Sequence, residues 1–135
     1  MRILKARSYH APFDEVVDAI VFCVEKSGML VVADIDVQKN AAKRGIETTG
    51  NRILEVFRPD YAVRVWAMEI EAGVDIPIRI HIHEDRYGGV TARYRGPLEV
   101  LSRHGNDELT LFAAEIEPVF ERIVCDPMRR RKSIA

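Results

Sequence analysis

The chain has 135 residues, of which 47% are hydrophobic and 30% charged, with a formal net charge of -1. This balance suits one globular domain with a single core and excludes a wholly disordered chain. The near-neutral charge supplies no whole-molecule attraction to nucleic acid, and no apolar run approaches the roughly 18 residues that a membrane-spanning helix needs.

The elements follow in chain order. Residues 2–9 alternate weakly and predict a first strand, with Lys5, Arg7 and Tyr9 on one face and Leu4, Ala6 and Ser8 on the other. Phe13, Val16, Val17, Ile20 and Val24 recur at helical spacing after Pro12, which suits a first helical turn, and Ser27-Gly28 gives a stop. Residues 29–37 predict a strong strand, 38–44 a short polar helix and 52–57 another strand. Pro59-Asp60 opens a helix over 60–71 in which Trp66 is expected as a core anchor.

Strands over 76–84 and 90–95 flank Asp85-Arg86-Tyr87-Gly88-Gly89, the composition of a hairpin turn. Gly96-Pro97 stops the second arm, and 98–106 reads as loop-like, with room for one short strand or turn at its start. Asn106 or Asp107 caps a final helix over 107–126 whose stripe includes Leu109, Phe112, Ile116 and Phe120. Pro118 inside it predicts a kink or two shorter helices, because proline cannot donate to the carbonyl of Ala114. The run Arg129-Arg130-Arg131-Lys132 is expected to be a solvated basic tail over 129–135, outside a single domain of residues 1–128.

A hairpin requires antiparallel pairing, and amphipathic helices require an apolar sheet face to cover. The order therefore predicts an α+β fold, a two-layer sandwich of a mixed or mostly antiparallel sheet with helices on one face. The other face would collect Lys5, Arg7, Asp34, Asp36, Glu55, Arg79, His81, His83, Arg93 and Arg95, unless a bulge flips part of a strand.

The first helical run carries Asp14, Glu15, Asp18 and Glu25, which does not fit a secretory leader, so a cytoplasmic location is expected. Cys23 and Cys125 lack redox or zinc spacing and are expected as buried packing residues; nothing in the sequence calls for a disulfide between them.

Three segments carry a family resemblance. Ser27-Gly28-Met29-Leu30-Val31-Val32-Ala33-Asp34-Ile35-Asp36-Val37 is similar to a "GFGVLTEIDV" strand, and Asn51-Arg52-Ile53-Leu54-Glu55-Val56-Phe57-Arg58-Pro59 to "YRILGACNP". Pro77-Ile78-Arg79-Ile80-His81-Ile82-His83-Glu84-Asp85 is similar to "PCNVVVYED". In this order, across residues 12–97, they resemble the domain-of-unknown-function 302 family. The resemblance implies an α+β domain that often pairs as a homodimer, and no defined reaction. The two cysteine positions of the family pattern are Phe57 and Ile78 here, and the neighbouring asparagines are Arg58 and Arg79. Thiol chemistry at those positions does not carry over.

The site expected from the residues is the stripe Arg79, His81 and His83 with Arg93, and Asp34 or Asp36 close by. Arginine forks suit carboxylate and phosphate oxygens, so a small anionic ligand is the first candidate partner beside a second copy of the chain. Nucleic acid and membrane are not expected partners, and no cofactor motif is present. The alternative is a metal-assisted or general acid–base enzyme using His81 and His83 with Asp34 or Asp36. Gly88-Gly89 lacks the context of a phosphate loop, and His10 and His104 read as locally hydrogen-bonded or exposed.

Overall fold

The computed structural model describes residues 4–134. The chain begins with β1 (Leu4–Tyr9), α1 (Phe13–Lys26), β2 (Leu30–Asp36), α2 (Val37–Ala42) and β3 (Asn51–Phe57). Next, α3 (Pro59–Met68) and a 3-10 turn (Ile70–Asp75) lead across a cis Ile76–Pro77 peptide into β4 (Ile78–Glu84) and β5 (Val90–Arg95). The last elements are α4 (Pro97–Ser102), α5 (Asp107–Val124) and α6 (Pro127–Ile134). The strands form one sheet in the order β1-β5-β4-β3-β2, antiparallel at every pairing. The result is a two-layer α+β sandwich. Among the described residues, no helix is long and apolar enough to cross a membrane.

Strand alternation builds the interface between the layers. Ile78, Ile80 and Ile82 of β4, Leu54 and Val56 of β3, and Val90, Ala92 and Tyr94 of β5 are all buried. They meet Val16, Val17, Ile20 and Val24 of α1 and Leu109, Phe112, Ile116 and Phe120 of α5. Each such isoleucine contributes about 1.5–3 kcal/mol through removal from water. Arg79, His81 and His83 therefore project from the opposite side, held by the same strand that anchors the core.

Several details differ from the sequence expectation. The 98–106 segment contains α4: Pro97 occupies a first-turn position, where its missing N–H costs nothing. Gly96 permits a close approach, since a Cβ there would collide with Glu117 Oε1, the oxygen that accepts from the Leu98 N–H in α4's first turn. Helix α5 is a single element through Pro118. Both Pro118 and Ala114 face solvent, so water can satisfy the carbonyl that the proline leaves without a donor.

The basic run falls within α6, which packs on α1 through the side of the chain carrying Met128, rather than standing apart as a tail. Trp66 is 47% exposed instead of buried. The inner face of α3 is set by Tyr61, Ala62, Val65 and Met68, which leaves the indole outside, against Gly73. Cys23 is buried as expected, but Cys125 is exposed at the end of α5; both are free thiols.

Candidate functional site: the open sheet face

Register decides which side chains share the uncovered face. Arg93 lies opposite His81 and Thr91 opposite His83 on β5, while His81 faces Ile53 and Arg79 faces Glu55 on β3. Directly paired residues project to the same side, so Arg79, His81, His83 and Arg93 form one surface. Arg95 shares it, paired with Leu4 of β1.

Asp34 and Asp36 do not join that surface, contrary to the sequence expectation. The β2–β3 register shifts between Val31 and Ala33, so Val32 is the extra residue of a bulge. Beyond it Asp34 pairs with Leu54 and Asp36 with Arg52, both on the helix-facing side, and Ile35 turns to the open face opposite Ile53. Asp34 instead forms a two-point ion pair with Arg52, through Nε at 2.8 Å and through Nη2. Asp36 caps α2, accepting from the Lys39 N–H at 2.9 Å.

Lys5 and Arg7 are displaced as well. Lys5 pairs with Tyr94 and Arg7 with Ala92, on the side where α5 lies. There Lys5 reaches Glu117 at 2.9 Å and Glu121 at 2.7 Å. Burial would lower its pKa, but these two carboxylates outweigh that and raise it. Tyr9 donates its hydroxyl to the Val124 carbonyl at 2.6 Å and locks this side of β1 to the helices.

The two ends of the β4 stripe have different chemistry. At the His83 end, internal hydrogen bonds occupy the imidazoles. His81 Nε2 lies 2.8 Å from Asn51 Oδ1, so that nitrogen carries the proton and donates. His83 Nε2 receives the Arg93 guanidinium, so this nitrogen is unprotonated. The rings stack with centroids 5.3 Å apart. Burial, followed by the proximity of His83, Arg93 and Arg79, holds the His81 pKa below its ordinary value. His81 is thus kept neutral by its surroundings.

The Arg79 end opens into a groove of about 880 Å3. Four arginines, Arg79, Arg93, Arg95 and Arg103, line it with three carboxylates, Glu55, Asp75 and Glu99. Glu99 on α4 is only 4% exposed and holds Arg95 at 3.0 Å and Arg103 at 3.5 Å through Oε2. Its Oε1 is buried and makes no hydrogen bond. Asp75 is 2.6 Å from His104 Nε2, which ties the 3-10 turn to the segment after α4. Arg79 is exposed and forms no ion pair among the described residues.

Arginine bears five N–H donors and remains charged at all ordinary pH, so Arg79 and the uncommitted nitrogens of Arg93 can take an oxyanion in a planar, two-point contact. Metal ligation is poorly supported by the geometry. Among the described residues, no group of three His, Cys, Asp or Glu side chains could hold a metal ion, and Asp34 lies through the sheet from both histidines. The same separation removes Asp34 and Asp36 as proton-transfer partners for His83.

The residue pattern does not reveal Glu99 and Arg103, because 98–106 has the composition of a loop. The usable signal was Pro97 as a helix start, which places Glu99 and Arg103 four residues apart on one helical face.

The fold and surface thus define a two-layer α+β sandwich with an uncovered, arginine-rich sheet face. The chain belongs to the family described as domain of unknown function DUF302, whose model matches residues 4–125, beyond the three segments that carried the resemblance. Its fold is similar to that in the "Crystal structure of uncharacterized conserved protein DUF302 from Bacillus stearothermophilus", with a TM-score of 0.80 and 19% identity over 90% of this chain and 94% of that one. At that identity the likeness establishes the fold alone. No curated protein matches.

Proposed function

We propose that this is a cytoplasmic binding protein whose groove takes a small anionic ligand without covalent chemistry. The observation that supports this reading most strongly is Arg79, a solvent-reaching cation with no ion pair among the described residues, in a groove of about 880 Å3 that Arg93 also lines. That volume lies within the roughly 300–1,000 Å3 typical of small-molecule sites. Elsewhere Arg52 and Arg58 are satisfied by Asp34 and Asp60. Two free thiols suit the reducing cytoplasm.

Calorimetric titration with methyl phosphate tests the reading. Arg79→Gln should weaken binding about ten- to hundredfold, the value of a charged hydrogen bond, with an unchanged thermal midpoint. Unchanged affinity would reject the role given to Arg79.

Self-association through the open face is a second reading, favoured by Leu4, which is 50% exposed there, and by Ile35 and Ile53 beside the polar stripe. Sedimentation equilibrium should then give twice the chain mass, and Leu4→Lys should lower it. A monomer at all working concentrations would remove this reading.

A further inference from the structure

The same groove has an apolar side that an oxyanion alone would leave uncovered. Val74, at the end of the 3-10 turn, is 84% exposed, and Leu4 is 50% exposed; both line the cavity that holds Arg79 and Arg93. Ile76, Pro77 and Val100 continue the apolar lining between the 3-10 turn and α4. The His104–Asp75 contact and the Glu99 pairs with Arg95 and Arg103 brace this region and hold two of its four arginines in place. Arg79, opposite Glu55 on β3, and Arg93, whose Nη1 contacts His83, form no ion pair among the described residues and lie to one side of an apolar surface. A cleft in which charged groups stand beside an apolar strip suits a ligand with both characters.

We propose that the ligand is a soluble amphipathic anion, with a carboxylate or phosphate head at Arg79 and Arg93 and an apolar body laid along Val74, Pro77, Val100 and Leu4. This rests on the anion-binding reading above and adds the class of molecule. The charges select the head, and the apolar wall makes affinity depend on the length of the body. Each methylene removed from water should raise affinity roughly three- to fourfold until the wall is covered. Nucleic acid does not fit, because a polyanion would need a continuing track of free cations.

The test is calorimetric titration of methyl, butyl and octyl phosphate into the wild-type chain, Arg79→Gln and Val74→Asn. Val74 is exposed, so its replacement leaves the core intact. Wild-type affinity should rise from methyl to butyl to octyl. Val74→Asn should reduce binding of octyl phosphate several-fold and leave methyl phosphate unchanged, whereas Arg79→Gln should weaken all three. Equal affinity along the series, or no effect of Val74→Asn, would overturn the amphipathic class while leaving anion binding in place. Failure of all three phosphates to bind would overturn both. Mixed phosphatidylcholine–phosphatidate vesicles provide the control. Pelleting of the protein with them, without binding of monomeric octyl phosphate, would assign the surface to a membrane and overturn the soluble-ligand proposal.

Discussion

The two faces of β4 arise from the same seven residues yet obey different rules. Ile78, Ile80 and Ile82 are sealed beneath helices, while Arg79, His81 and His83 look outward from the positions between them. The covered face is over-determined: any change in volume is felt by α1, α5 and both neighbouring strands. The open face has a gradient along it. Its histidine end is closed by contacts with Asn51 and Arg93, whereas its arginine end leaves a cation available. The strand's period of two thus separates the packed face from the face proposed to bind, and a single substitution can address either.

The largest expected effect breaks the comparison from the covered side. Ile80→Ala should cost about 2–5 kcal/mol in urea unfolding, the usual range for emptying a packed core position. Anion affinity of the folded fraction should be retained. A cost below about 0.5 kcal/mol, the scale of neutral surface changes, would show that the layers are not packed as described.

A smaller effect is expected at the groove wall. Glu99→Gln removes the carboxylate charge that holds Arg95 and Arg103, both of which retain access to water. Stability should fall by about 1–3 kcal/mol, and affinity for methyl phosphate should rise because two guanidinium groups lose their neutralising partner. Weaker phosphate binding would contradict the electrostatic account of the groove.

The smallest effect belongs to the histidine end. His81 is held neutral in the folded chain by burial and by its cationic neighbours, so the unfolded chain takes up the proton first. The stabilising contribution is full above the ordinary histidine value of about 6.5 and is lost as pH falls through the lower folded value. The urea midpoint should therefore decline on acidification below neutrality, and His81→Asn should flatten that slope. An identical slope in the variant would assign the pH dependence elsewhere.

Much of this was legible in the residues because hydrophobic periodicity reports burial directly. The β4 alternation, the hairpin at Gly88-Gly89 and the α5 stripe all appear where their spacing places them. Arg79, His81, His83 and Arg93 come together because two strands joined by a short turn must pair. Asp34 could not be placed that way. Its facing depends on one extra residue at Val32, and Val31-Val32-Ala33 carries no glycine or polar mark of a bulge.

The facing of Lys5 was likewise set at a distance, by Glu117 and Glu121 more than a hundred positions along the chain. The groove was half hidden for a similar reason. Arg95 lies on a strand that periodicity finds, but Glu99 and Arg103 depend on a six-residue helix too short to show an amphipathic pattern. Recognising Pro97 as a beginning as well as an end would have recovered both.

The most direct test of the central claim is a two-dimensional amide NMR titration of the 15N-labelled chain with octyl phosphate. The account predicts saturable shifts confined to the groove around Arg79, Arg93, Arg95 and the α4 segment through Arg103, with the Asp34–Arg52 edge silent. Shifts centred on the basic run of α6, or no saturable shifts at all, would contradict it.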